Sequence, residues 1–157
     1  MHRMTEEPLT PLDPGYTTIL RIEGLLITLP FIVAATVLAL VEALPPWAPG
    51  IPVLLLAIVL IGIVPIKKYQ SRGYHMAVDR LRVVKGVLFH ADTVVPFSRV
   101  QHLDVEQGPL ERAFGIARLI LHTAGTHNAS VTLPGLAHAD AIAMREDIRA
   151  HVKRESL

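Results

Sequence analysis

GLLITLPFIVAATVLALV at residues 24–41, followed by WAPGIPVLLLAIVLIGIVPI at residues 47–66, decides the architecture; neither run holds an Asp, Glu, Lys or Arg. Each has roughly 18 residues, which as helix at about 1.5 Å per residue span about 27 Å, close to the hydrocarbon thickness of a bilayer. The connection from Glu42 to Gly50, with Pro45, Pro46 and Trp47, is too short to be a domain. The pair therefore reads as a transmembrane helical hairpin over residues 21–67, with helices expected at about 21–42 and 49–67. An arm over residues 1–20, broken by Pro8, Pro11 and Pro14, precedes it and is expected to turn helical near Tyr16. Residues 68–157 remain for one small soluble domain.

Charge gives an orientation. From Lys67 onward the chain has 13 Lys+Arg against 9 Asp+Glu, whereas residues 1–66 have 2 against 5. Lys67, Lys68 and Arg72 follow the second span, Arg21 precedes the first, and the connection carries Glu42 and no base. The positive-inside rule then predicts a multi-pass plasma-membrane protein with both termini and the soluble domain cytoplasmic, and Trp47 at the opposite interface. Acidic residues before the first run, its length and the immediate second span argue against a cleaved signal peptide. The chain has no cysteine, which excludes disulfides, thiolate nucleophiles and Cys-ligated metals. Gly62 is a candidate for close helix approach within the second span.

After Lys68 the texture changes to short alternating runs at hairpin spacing. Strands are expected at Tyr74–Val78, Leu81–Lys85, Val87–His90, Asp92–Pro96, Val100–Gln107, Ala117–Thr123 and Ser130–Leu133. Leu103 and Val105 face a core while His102, Asp104 and Glu106 face away; Leu119 and Leu121 oppose Arg118 and His122. Pro109–Phe114 fits a single helical turn. From Ala137 the period becomes helical, with Ala137, Ala141, Met144, Ile148 and Val152 in one stripe, Asp140 near its start and Arg149, Lys153 and Arg154 near its end. The expected fold is a membrane helical hairpin plus an α+β domain of about seven antiparallel strands, a half-open barrel capped by a C-terminal helix.

That order is the one a pleckstrin-homology (PH) domain gives. The run from Val94 to Gly115, above all Gln107-Gly108-Pro109-Leu110-Glu111-Arg112 with Phe114-Gly115, resembles the bacterial membrane-flanked PH-domain family (YdbS-like). His122-Thr123-Ala124-Gly125, Leu133-Pro134-Gly135-Leu136 and the exit Lys67-Lys68-Tyr69-Gln70-Ser71-Arg72-Gly73-Tyr74 extend the likeness. The resemblance implies two spans followed by one PH domain, no established reaction, and a complex in which a larger multi-PH membrane protein is a candidate partner.

Two sets of side chains are candidates for contact. Lys67, Lys68, Arg72, Arg80 and Arg82, with Lys85 beside them, would face the membrane or a headgroup; the plainer reading is that the first three only fix topology. Arg99, Gln101, His102 and Arg112, in the family-like run, would meet a partner or brace the structure, Arg112 on the short helix and Arg99 before the long strand. The eight histidines form no strong ligand spacing. His122 and His127 flank a turn, and His102 shares a strand face with Asp104, but no serine or cysteine nucleophile accompanies them. Isolated turn glycines make no phosphate loop, and the sequon Asn128-Ala129-Ser130 is expected to be silent in a cytoplasmic domain. Nucleic-acid binding is disfavoured by the modest basic excess and by aromatics (Tyr74, Phe89, Phe97, Phe114) that read as core or turn residues.

The expectation is a non-enzymatic, membrane-anchored interaction module with no cofactor or metal, partnered by the bilayer and another membrane protein, with homo-oligomerisation open. The alternative is a sensor or handler of anionic lipid, and an enzyme using His102 and Asp104 ranks third.

Overall fold

In the computed structural model, whose described residues are 8–125 and 130–155, the two apolar runs form an antiparallel helical hairpin. The first helix, α1, spans Gly15–Leu40 and the second, α2, spans Trp47–Gln70. Only 11% and 6% of their most apolar windows are buried within the chain. Core helices of a soluble fold would be mostly covered, so these surfaces need an apolar solvent.

The helices close on each other through a glycine. A Cβ at Gly24 would lie 2.4 Å from the carbonyl oxygen of Leu60, so only a residue without one permits this approach. There α2 widens into a π-helical segment over Ile58–Ile63. On the next turn of α1, buried Thr28 donates its hydroxyl to the Gly24 carbonyl at 2.7 Å, satisfying itself within its own helix. Gly62, the expected contact glycine, faces open space. One small residue does not show which face of a helix meets its neighbour.

α1 begins at Gly15, where the arm was expected to turn helical, and runs unbroken into the span expected from about residue 21. Asp13 Oδ1 accepts the Gly15 N–H at 2.8 Å, and Pro14 already has helical dihedrals, a side-chain cap followed by proline in the first helical position. The first turns of α1 therefore belong to the soluble domain: Tyr16 and Leu20 lie in its core, with Leu12 just before them. The arm supplies a strand as well. β1, Thr10–Pro11, pairs with β2, Gly73–Met76, with Thr10 opposite Tyr74.

β2 continues antiparallel into β3, Arg80–Lys85, and β4, Ala91–Pro96, giving a four-stranded sheet in the order β1-β2-β3-β4. Val87–His90, expected as a strand, is instead the turn between β3 and β4, because Lys85 already pairs with Ala91. The strands number seven as expected, but six are expected segments and β1 is the seventh in place of Val87–His90. A 3₁₀ turn at Phe97–Arg99 leads to the second sheet, β5-β6-β7, formed by Val100–Glu106, Ile116–Thr123 and Ser130–Ala137. β7 runs beyond the expected end at Leu133 because a register shift opposite Ala117–Leu119 accommodates Pro134 and Gly135. The short helix α3, Pro109–Ala113, links β5 to β6, and α4, His138–Glu155, follows β7.

Alternation in the sheets and the stripe on α4 meet in one core. Leu81, Val83 and Val95 of the first sheet, Leu119, Leu121 and Leu133 of the second, and Ala141, Met144 and Ile148 of α4 are buried together. Leu103, Val105 and Val152 pack on its margin as the periodicities predict. The fold is thus the expected one: an apolar hairpin and two antiparallel sheets with a C-terminal helix. His127, Asn128 and Ala129, named above for a ligand spacing and a sequon, lie outside the described residues.

Candidate functional site

β5 is an edge strand; among the described residues its ladder partner is β6 alone. Its other side faces α4, and between them lies a cavity of about 290 Å³ lined by Gln101, His102, Leu103, Arg145, Arg149 and Val152, with Val100 at its end. The helix residues lie at i, i+4 and i+7 and so share one face. The pairing of β5 slips between Val100 and His102, where two steps along β5 oppose one along β6. Gln101 is the extra residue of that bulge, a device that frees a backbone unit from the ladder and re-aims its side chain. An edge strand beside the exposed Arg149 can accept an extended segment of opposite charge, whereas Arg145 is half-buried and already pairs with Glu146 at 2.8 Å.

Two of the sequence candidates, Gln101 and His102, therefore meet in one groove. Arg99 does not join them: it is exposed just before β5, its carbonyl accepting the Ala124 N–H at 3.1 Å. Arg112 is exposed on α3, and the bracing expected of it belongs to its neighbour. Glu111, 5% exposed, accepts the Gly108 N–H at 2.6 Å and the Arg118 Nη2 at 2.7 Å. The carboxylate caps α3 and ties it to β6, and its hydrogen bond raises the pKa of the Arg118 guanidinium. The Arg145 and Arg149 side of the groove escaped the sequence, where basic residues late in α4 read only as complements to the helix dipole. Their i, i+4 spacing was visible; their meeting with β5 was not.

The five basic candidates do not form one patch. Lys67 and Lys68 sit in the last turns of α2, Lys67 exposed and Lys68 half-buried. Arg72 is turned inward, donating Nη1 to the Tyr16 hydroxyl with its guanidinium carbon 5.7 Å from that ring's centre. Arg82 grips Asp92 through both Nε and Nη2, the latter at 2.6 Å from Oδ2. That bidentate bond holds the Asp92 carboxyl below the usual carboxylate range. Arg80 pairs opposite Pro96, four residues along β3 from the Val84–Gly73 pair where α2 delivers the chain, roughly 13 Å away at strand spacing. Its neighbour is Asp79 at 3.8 Å.

The expected imidazole–carboxylate pair is present and gains a third member. His102 Nε2 lies 2.9 Å from Asp104 Oδ1, and His122 Nε2 3.1 Å from Oδ2. All three side chains are at least 40% exposed, which leaves a surface cluster in water, with Ser130 opposite His122 in the ladder. Among the described residues no group of three or more His, Cys, Asp or Glu is arranged to hold a metal ion.

Comparison with known proteins gives three likenesses. The family model for the bacterial PH domain matches residues 25–152. The UPF0699 transmembrane protein YdbS of Bacillus subtilis (strain 168) is 27% identical over 151 residues, covering 92% of this chain and 93% of that one. A crystal structure of a DUF1696 family protein with a pleckstrin-homology domain from Shewanella loihica PV-4 is 18% identical, with a TM-score of 0.39 over 52% of this chain and 70% of that chain. The last is too loose to add to the family match.

Proposed function

This chain belongs to the bacterial PH-domain family, and from that premise we propose that it is a membrane-anchored, non-enzymatic interaction module that presents its domain at the cytoplasmic face to a partner membrane protein. The groove between β5 and α4 carries the proposal. It combines an open strand edge, a bulge at Gln101 and the exposed guanidinium group of Arg149, with Arg145 beside it already paired with Glu146. Such a surface binds without chemistry. Anchoring confines domain and partner to one leaflet, so modest affinity at the groove suffices. A larger multi-PH membrane protein is one candidate, and a second copy of this chain another. The cytoplasmic assignment is supported by Lys67 and Lys68 at the end of α2 and the absence of bases from the connection between the helices.

Affinity capture of tagged full-length protein from detergent-solubilised membranes tests the reading. A stoichiometric membrane-protein partner, lost when Arg149→Glu reverses charge in the groove, is expected. Unchanged recovery with Arg149→Glu would move the contact elsewhere, and no partner would remove the module reading.

Anionic-lipid recognition is the second reading, favoured by Lys67 and Lys68, each worth about 1 kcal/mol near an anionic leaflet. Arg72 and Arg82 are already engaged by Tyr16 and Asp92. The Lys67→Glu, Lys68→Glu variant should abolish any lipid preference and leave partner capture intact.

A further inference from the structure

We propose that the β3–β4 turn is a second membrane contact, its tip Val87-Leu88-Phe89 dipping into the same leaflet that the helices enter. This rests on the reading that α1 and α2 span a bilayer. Leu88 is 89% exposed and Phe89 87%, with Val87 beside them about half exposed. Three consecutive apolar side chains held in water on a soluble surface would invite aggregation.

The register shows where the tip points. The chain leaves α2 at Gln70 and enters β2 at Gly73, which lies opposite Val84. β3 runs antiparallel to β2, so Lys85 and the turn beyond it project back past Gly73, toward the side from which α2 arrives. A cavity of about 420 Å³ between them is lined by Gln70 and Arg72 on one side and Gly86 and His90 on the other. β1 enters at the same end, with Pro11 opposite Gly73 and α1 starting at Gly15. The turn is thus beside both helix roots.

The turn is also built. Gly86 has φ +150°, and a Cβ there would lie 1.9 Å from the Phe89 carbonyl oxygen. Only glycine fits that path, which folds the backbone tightly and leaves Val87, Leu88 and Phe89 outside it. Lys85 and His90 flank the tip, and Lys67 and Lys68 lie near the end of the adjoining helix. Apolar side chains pointing out of a cationic collar suit the boundary between headgroups and acyl chains. The bilayer is the occupant this position favours, because the tip is continuous with the membrane spans, whereas the protein groove lies across the second sheet. With the two helix roots, the tip gives the domain a third point of support and fixes its tilt.

The chain has no cysteine, so single labels can be placed at will. Full-length protein bearing an environment-sensitive fluorophore at Leu88→Cys, Val37→Cys or Val78→Cys would be reconstituted in vesicles of phosphatidylcholine and phosphatidylglycerol. Nitroxide quenchers would be carried shallow or deep on the lipid. Val78, also exposed, lies in the β2–β3 turn at the opposite end of β3. The label at position 88 should be blue-shifted and quenched by the shallow nitroxide, that at 37 quenched from within the bilayer, and that at 78 neither. If the labels at 88 and 78 behave alike while 37 is quenched, the tip proposal fails and the spans stand. If 37 is not quenched, the spanning reading fails and the tip falls with it. A blue shift at 88 without lipid quenching would mean a protein occupant and would overturn the proposal.

Discussion

The Tyr69 hydroxyl, in the last turn of α2, donates across 3.0 Å to the carbonyl of Leu12, three residues before α1 begins. Together with the Arg72–Tyr16 contact it ties the roots of both helices to each other and to the sheet. The domain is fastened to its hairpin at two places rather than hung from it. Tyr69→Phe removes one fastening while keeping the ring. It should cost about 1 kcal/mol, the usual net worth of such a bond, read as a lower denaturant midpoint for the protein in micelles. No change would mean that the junction does not depend on this bond.

Gly24 and Gly62 make a paired test of the hairpin. At Gly24 an added methyl meets the Leu60 carbonyl oxygen at 2.4 Å, whereas at Gly62 it meets nothing within 4 Å. Gly24→Ala should therefore destabilise by about 1–3 kcal/mol through forced separation of the helices. Gly62→Ala should be neutral or mildly stabilising through helix propensity. Thermal denaturation of both variants in one detergent decides it, and equal behaviour would contradict the packing described.

Glu111 caps α3 and ties it to β6 with one carboxylate. Glu111→Ala strands the Gly108 N–H and Arg118, and should cost about 2 kcal/mol, discounted from the fully buried case because Arg118 remains 40% exposed. A double-mutant cycle with Arg118→Met should show a coupling of about 1 kcal/mol. Additive effects would deny the pairing.

Asp92 gives the domain a specific acid sensitivity. Its folded pKa is depressed by the hydrogen bonds from Arg82. The pair's contribution is therefore fully present above the unfolded value and is lost as pH falls through the depressed folded value. Both side chains are about one-third exposed, so the effect should stay below about 1 kcal/mol. Asp92→Asn should be slightly less stable at neutral pH and should flatten the acid limb below pH 4. An unaltered limb would assign it to other carboxylates.

Much of this was readable beforehand because the signals were local. Two charge-free runs marked the hairpin, and strict alternation marked β5 and β6. The stripe through Ala141, Met144 and Ile148 marked the face of α4. β1 was not readable: Thr10-Pro11 has no strand signature, and it becomes one only because β2 offers it an edge. The segment Val87–His90 misled for the opposite reason, since three apolar residues imitate a strand when the backbone path imposed by Gly86 is unseen. The helix start just after Asp13-Pro14 was legible, and the turn to helix expected near Tyr16 falls within a residue of it. In the site, Gln101 and His102 stood out within the family-like run. Arg145 and Arg149 did not, because they meet β5 from a helix more than forty positions away.

The measurement that bears most directly on the interaction reading is site-specific photocrosslinking in intact membranes. A photoreactive residue would replace Gln101 in the groove and, as a control, Val78 at the far turn. The account predicts a discrete membrane-protein adduct from position 101 that Arg149→Glu suppresses, and none from position 78. Absence of an adduct at 101, or the same adduct from both positions, would contradict it.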